Sequence, residues 1–237
     1  MNAGDIVKRY IQGERSFQKV DLREAELINA NLSLIDFSQA DLRCARLGKT
    51  NFSQASFREA DLSEAILWGT DLSEADFFRA VLREADLTGA KLTQAYLEEA
   101  NLSKASLCGA HLNGAKLSRA ILFEADLRPA SDQPTDLGYA VLTGADLSYA
   151  DLGATLLHHA NLDGAKLCRA KLNRRTQWGS LGTDLSEASL RGADLSYADL
   201  SGAILRKADL RGADLTRTIL NNANLQQAIM PDGSIHN

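Results

Sequence analysis

Aromatic residues make up only 6% of this 237-residue chain, so its core has to be built mostly from aliphatic side chains. Cysteine occurs three times, as Cys44, Cys108 and Cys168. That is too few for a disulfide framework and fits a reducing cytosol, where the chain is expected to reside. No run approaches the length of a membrane span, and no apolar h-region follows the first residues, so neither span nor signal peptide is expected. Twenty-six Lys and Arg stand against 31 Asp and Glu, a net charge of -5, and they form no basic block. Nucleic acid is therefore excluded as a main partner, because phosphate neutralisation needs clustered cations. A Gly-rich phosphate loop, His-Glu-x-x-His and Cys-x-x-Cys are all missing. The chain is not expected to be an enzyme, and no catalytic site, cofactor or metal is expected. The adjacent His158 and His159 read as solvated surface residues rather than ligands.

What the chain does have is a period. From Val20 to Arg174 a Leu or Phe recurs at nearly every fifth position, beginning Leu22, Leu27, Leu32, Phe37, Leu42, Leu47, Phe52, Phe57. A small residue, usually Ala, stands two places before each, and Asp or Asn is favoured between them, as in Ala60-Asp61-Leu62 and Ala100-Asn101-Leu102. A spacing of five would spiral leucines around an α-helix and alternate them across a strand. It keeps them all inside only if the chain turns once per repeat. Gly often fills the last repeat position, as at Gly69, Gly89 and Gly109, where a left-handed turn residue suits it. Phe17, Phe37, Phe57 and Phe77 recur every twenty residues, which predicts four repeats per coil and one inner wall of stacked rings. On that register Phe57 is expected nearer to Phe37 than to Phe52. Coils spaced at about 4.8 Å, some ten of them, make a rod on the order of 50 Å long.

These repeats resemble the pentapeptide-repeat family, over about Arg15 to Met230. The resemblance implies an all-β fold, a right-handed four-sided parallel β-helix with the central Leu or Phe and the preceding Ala inside. It specifies fold and says little of function.

Residues 1–14 are expected to hold a short N-terminal capping helix, with Ile6, Val7, Tyr10 and Ile11 on its apolar face and Gly13 as its stop. The β-helix is expected over 15–230, and residues 231–237 as a loose tail. Two repeats break the pattern. Asp132 stands where Leu belongs, between Pro129 and Pro134, so repeat 129–135 is expected to bulge outward. Over 175–182 the phase slips by three residues, which predicts a loop, with Trp178 or Leu181 filling the core. Counting by twenties places Cys108 and Cys168 in one outer column, about 14 Å apart and beyond disulfide reach.

Outward apolar residues point to a partner. The same count stacks Ile121 and Val141 on one face with Phe123, Tyr139 at its edge, and the Pro129–Asp132–Pro134 bulge and Asp151 close by. Clustered exposed apolar groups mark protein-binding sites. A weaker cluster is Ile66 with Trp68. The expected role is a non-catalytic regulatory protein-protein interaction module, monomeric or weakly dimeric, with a protein partner, no nucleic acid and no membrane. Within the family, the length, helical cap and almost unbroken repeats look like regulators of cyanobacterial heterocyst differentiation, which counteract a peptide inhibitor. The alternative the resemblance implies is an acidic DNA mimic that binds gyrase or topoisomerase.

Overall fold

The computed structural model describes residues 2–131, 133–173 and 182–237. The one helix among the described residues, α1 (Ala3–Ile11), begins with a capping box. The Asn2 side chain accepts from the Asp5 N–H at 2.9 Å, and the Asp5 carboxylate accepts from the Asn2 N–H. Ile6 is buried and Val7 and Tyr10 pack on the first coil, but Ile11, expected on the same face, is 76% exposed. The helix stops two residues before Gly13, at φ +95°.

Most later repeats use one local design. Ala25 N–H donates to Leu22 C=O at 3.0 Å, closing a four-residue turn whose third residue, Glu24, has φ +58°. That is the positive φ a type II turn needs. Gly takes this position at Gly69 and Gly89, but Gln, Glu, Arg and Lys take it in most repeats. The Asp or Asn before the central Leu clamps the turn: Asp61 Oδ1 accepts the Ser63 N–H at 2.9 Å and Asn51 Oδ1 accepts the Ser53 N–H at 2.9 Å. Short acceptors recur there because they bond their own backbone two residues on.

Stacking of coils is parallel. Asp21 pairs with Asp41, Asp41 with Asp61, and Asp61 with Val81, each twenty residues on. Four sides, A to D, follow in chain order, with core residues Phe57 on A, Leu62 on B, Leu67 on C and Leu72 on D in one coil. The inner column of A is Phe17, Phe37, Phe57, Phe77, all buried, and the last two rings stack at 4.9 Å and 6°. The ladder thus establishes four repeats per coil. The distance expectation nevertheless fails, for Phe57 lies 5.3 Å from Phe52 and 5.9 Å from Phe37. The interior is so narrow that rings from adjacent walls meet across it.

Two steps in the ladder are longer. His111 pairs with Asp136, and Asp126 with Asp151, twenty-five residues on. One whole repeat is therefore left out of the coil, and Ala130 and Gln133 close a small antiparallel bridge within it. Asp132 itself lies outside the described residues. Leu156 then pairs with Asp184, and Lys171 with Asp199, twenty-eight residues on. Eight residues, not three, are added there. Trp178 and Leu181 fall outside the described residues, and core column D runs directly from Leu157 to Leu185.

Both interruptions leave from the same corner, between sides C and D. That corner has its own core chemistry. Thr50, Thr70, Thr135, Thr155 and Thr183 replace the usual Ala at the start of side D and are wholly buried. Thr183 Oγ1 donates to Leu152 C=O at 2.8 Å and accepts from Ala154 N–H at 3.0 Å. Thr135 Oγ1 donates toward Leu107 C=O at 3.1 Å and Arg128 C=O at 3.0 Å and accepts from Gly109 N–H at 2.9 Å. Buried hydroxyls thus satisfy backbone groups where the corner departs from the common pattern.

The end of the chain also departs from expectation. Residues 231–237 are not a loose tail: Ile235 pairs antiparallel with Ile229, and His236 N–H donates to Ala228 C=O at 2.8 Å. This hairpin folds back along the last coil.

Candidate protein-interaction surface

The lengthened steps redistribute the residues that counting by twenties brings together. Ile121 pairs with Asp146, so Ile121 and Phe123 are on side B. Val141 pairs with Lys116 and stands on side A, one wall away from Ile121. Tyr139 occupies the last position of side D, at the corner leading to Val141. Pro129, which is buried, Pro134 and Asp151 belong to the C side and its corner. The expected single sector is therefore not assembled, because a five-residue insertion shifts every later residue by one wall. The same shift puts Cys108 on side C and Cys168 on side B, in different columns, and all three cysteines are free thiols.

What the structure does bring together was missed by counting. Phe123 meets Tyr149, with ring centroids 5.5 Å apart and edges to face. Tyr149 begins a column along the corner between sides B and C: Tyr149, Arg169, Tyr197, Arg217. The Arg169 guanidinium carbon sits 5.8 Å from the Tyr149 ring and 5.1 Å from the Tyr197 ring. Arg217 sits 5.4 Å from Tyr197 on its other side, with Nη1 3.4 Å from the Tyr197 hydroxyl. Tyr149 and Tyr197 remain 47% and 43% exposed. The spacing of twenty and twenty-eight residues hides this ladder from any search by fixed period.

Tyr139 heads a second column at the diagonally opposite corner. Its ring stacks on His159 at 4.8 Å and 13°, and His158 lies edge-on at 5.5 Å. His159 Nδ1 is 3.5 Å from Glu187, which Lys207 also approaches at 3.5 Å. Gly138 leaves room for the His158 ring, which a Cβ there would approach to 2.6 Å. On side C, Trp68 covers Gly48 in the same way, with Lys49 Nζ 4.7 Å from its ring, while Ile66 stays partly exposed.

Acidic columns are present, and near the start of the rod one of them is ion-paired. On side B, Arg23 grips Asp21 at 2.7 Å and reaches Asp41 at 3.6 Å, and Arg43 grips Asp41 at 2.6 Å and reaches Asp61 at 3.8 Å. The bond from Arg23 pulls the Asp21 carboxyl down to about 2. Beside the bulge, burial works to raise Asp126, but the Arg128 guanidinium at 2.5 Å holds it below its ordinary value. Burial likewise pushes the Cys108 thiol up, away from the reactive thiolate. Among the described residues no group of three or more His, Cys, Asp or Glu is placed to hold a metal, and no helix is long and apolar enough to cross a membrane.

The family model of pentapeptide repeats matches eight copies over residues 16–54, 55–94, 90–128, 135–174, 182–206 and 193–232. The chain belongs to the pentapeptide-repeat family. The gaps in the match, at 129–134 and 175–181, fall on the two lengthened steps. Among solved pentapeptide-repeat structures, the chain is 69% identical to HetL from the cyanobacterium Nostoc sp. strain PCC 7120, with both chains wholly covered and a TM-score of 0.99. HetL is described as involved in heterocyst differentiation regulation. QnrB1, a plasmid-mediated fluoroquinolone resistance protein, is 20% identical over 88% of this chain and 91% of its own, with a TM-score of 0.45. A pentapeptide-repeat protein of the Arabidopsis thaliana thylakoid lumen is 26% identical over 56% and 69%, with a TM-score of 0.24. No curated protein sequence matches the chain.

Proposed function

We propose that this pentapeptide-repeat protein is a non-catalytic regulator of heterocyst differentiation that acts in the cytoplasm by binding a protein partner and so counteracts peptide inhibition of the programme. The observation that carries the reading is full-length similarity to HetL at 69% identity, with a TM-score of 0.99. The fold supports it physically. Core residues are spent on Leu, Phe and Ala, and the outward positions of a rigid ladder are left free to present side chains. Aromatic clusters at Phe123–Tyr149 and Tyr139–His159, in which Tyr139 and Tyr149 are exposed, supply contact area that loses little side-chain entropy on binding. The DNA-mimic alternative gains little from the start of side B, where Arg23 and Arg43 hold Asp21 and Asp41.

The test is made in filaments of a heterocyst-forming cyanobacterium treated with the inhibitory peptide. Filaments overproducing this chain should continue to form heterocysts, and filaments carrying the empty vector should not. Equal suppression in both would overturn the reading.

A further inference from the structure

We propose that the tyrosine–arginine column on the corner between sides B and C is a docking rail for an extended acidic peptide segment, with carboxylates at every third residue. The inference rests on the protein-binding reading above.

Arg169 and Arg217 differ from most arginines of this rod. Arg9, Arg23, Arg43, Arg58, Arg79 and Arg128 each hold a carboxylate. Arg169 and Arg217 hold none among the described residues, and instead lie against the rings of Tyr149 and Tyr197. Apart from the bond from Arg217 Nη1 to the Tyr197 hydroxyl, the N–H groups of the two guanidiniums carry no acidic partner among the described residues, and a guanidinium can donate two of them to one carboxylate in bidentate fashion. The acids beside this corner have other partners, beginning with Glu124, one coil before Tyr149, which Lys104 approaches at 3.7 Å. Lys171 Nζ lies 4.0 Å from Asp151, Asn173 donates to Asp199 at 3.0 Å, and Asp194 and Asp214 accept turn N–H groups of Ser196 and Thr216.

Spacing chooses the ligand. Arg169 and Arg217 are two coils apart, about 9.6 Å at the inter-strand spacing. A polyproline II segment repeats its side chains every third residue, at about 9.3 Å. Acidic residues at i and i+3 would therefore reach both arginines, and the residues between them would lie along the edge of Tyr197. Single-stranded nucleic acid fits less well. It needs open ring faces for its bases, and those of Tyr197 are taken by Arg169 and Arg217.

The experiment uses the full chain and a fluorescein-labelled peptide of four Glu-Pro-Pro units, read by anisotropy. Binding is expected on the order of 100 µM, weakening as salt screens the pairs. Arg169→Gln and Arg217→Gln should each weaken it about tenfold, and the double variant should abolish it. Both side chains are exposed, and unchanged circular dichroism confirms that the variants fold. Arg23→Gln with Arg43→Gln, at the far end of side B, should leave binding unchanged. No binding, equal binding by the double variant, or equal binding of a Lys-Pro-Pro peptide overturns the proposal. So does tighter binding of oligo-thymidylate that is lost in the same variants. Failure here with the filament response intact overturns the rail alone and leaves the regulatory reading standing.

Discussion

At the scale of single residues, the buried threonines show how a repetitive core tolerates polarity. Alanine occupies the equivalent corner position in other coils, as at Ala90 and Ala110, so Thr183→Ala introduces no misfit of shape. It does remove the donor to Leu152 C=O and the acceptor for Ala154 N–H. A loss of about 1–3 kcal/mol is expected, the usual cost of buried groups left unpaired, measured by denaturant unfolding. Asp209 makes a second residue-scale case. The Arg211 guanidinium, joined by Arg191, holds its carboxyl well below the ordinary carboxylate range. A depressed folded-state value stabilises the fold above the unfolded value near pH 4, and the contribution is lost as pH falls through the lower folded value. Acidification from pH 6 to pH 3 should therefore lower the unfolding temperature of the parent more than that of Asp209→Asn. An equal drop in both would show that the Arg pair contributes nothing.

At the scale of elements, the period was legible and the register was only half so. Leu and Ala at fixed offsets follow directly from the need to fill a narrow core, and the four-fold column of Phe17, Phe37, Phe57 and Phe77 showed how many sides close a coil. An extra repeat of five residues at 130–134 leaves that phase unchanged, so counting could not detect it and moved Val141 from side A to side B. The eight added residues before Thr183 betrayed only their remainder of three. One signal was available: Thr50 and Thr70 mark the start of side D, and the next such threonine is Thr135, five places later than a multiple of twenty predicts. The structure makes the insertion removable on paper. Deleting residues 130–134 joins Pro129 to Thr135 and restores a twenty-residue step from His111. The shortened chain should keep its β-sheet circular dichroism and unfold cooperatively within a few degrees of the parent. A molten chain, or one that aggregates on refolding, would mean that the extruded repeat is structural.

At the scale of the whole molecule, recognition and folding are carried by different atoms of the same repeat. The core reads almost identically from Leu22 to Leu210, whereas the outer columns change from ion-paired on side B near the start to aromatic and cationic after Phe123. This is why the fold could be read from the sequence and the binding surface could not. Outer residues obey no hydrophobic constraint, and their neighbours are set only once every ladder step is known.

The ladder also has a mechanical consequence. Each coil bonds only to the coil before and the coil after, as Asp41 does to Asp21 and Asp61. Tension applied between the two ends therefore falls on one set of four pairings at a time, and the rod should peel like tape instead of resisting as a block. Peeling would start at the carboxyl end, where Leu215, Leu220 and Leu225 are only partly covered, and travel toward α1. In an optical trap the force trace would be a train of small, evenly spaced releases, interrupted by two longer ones where the chain carries its five and eight extra residues.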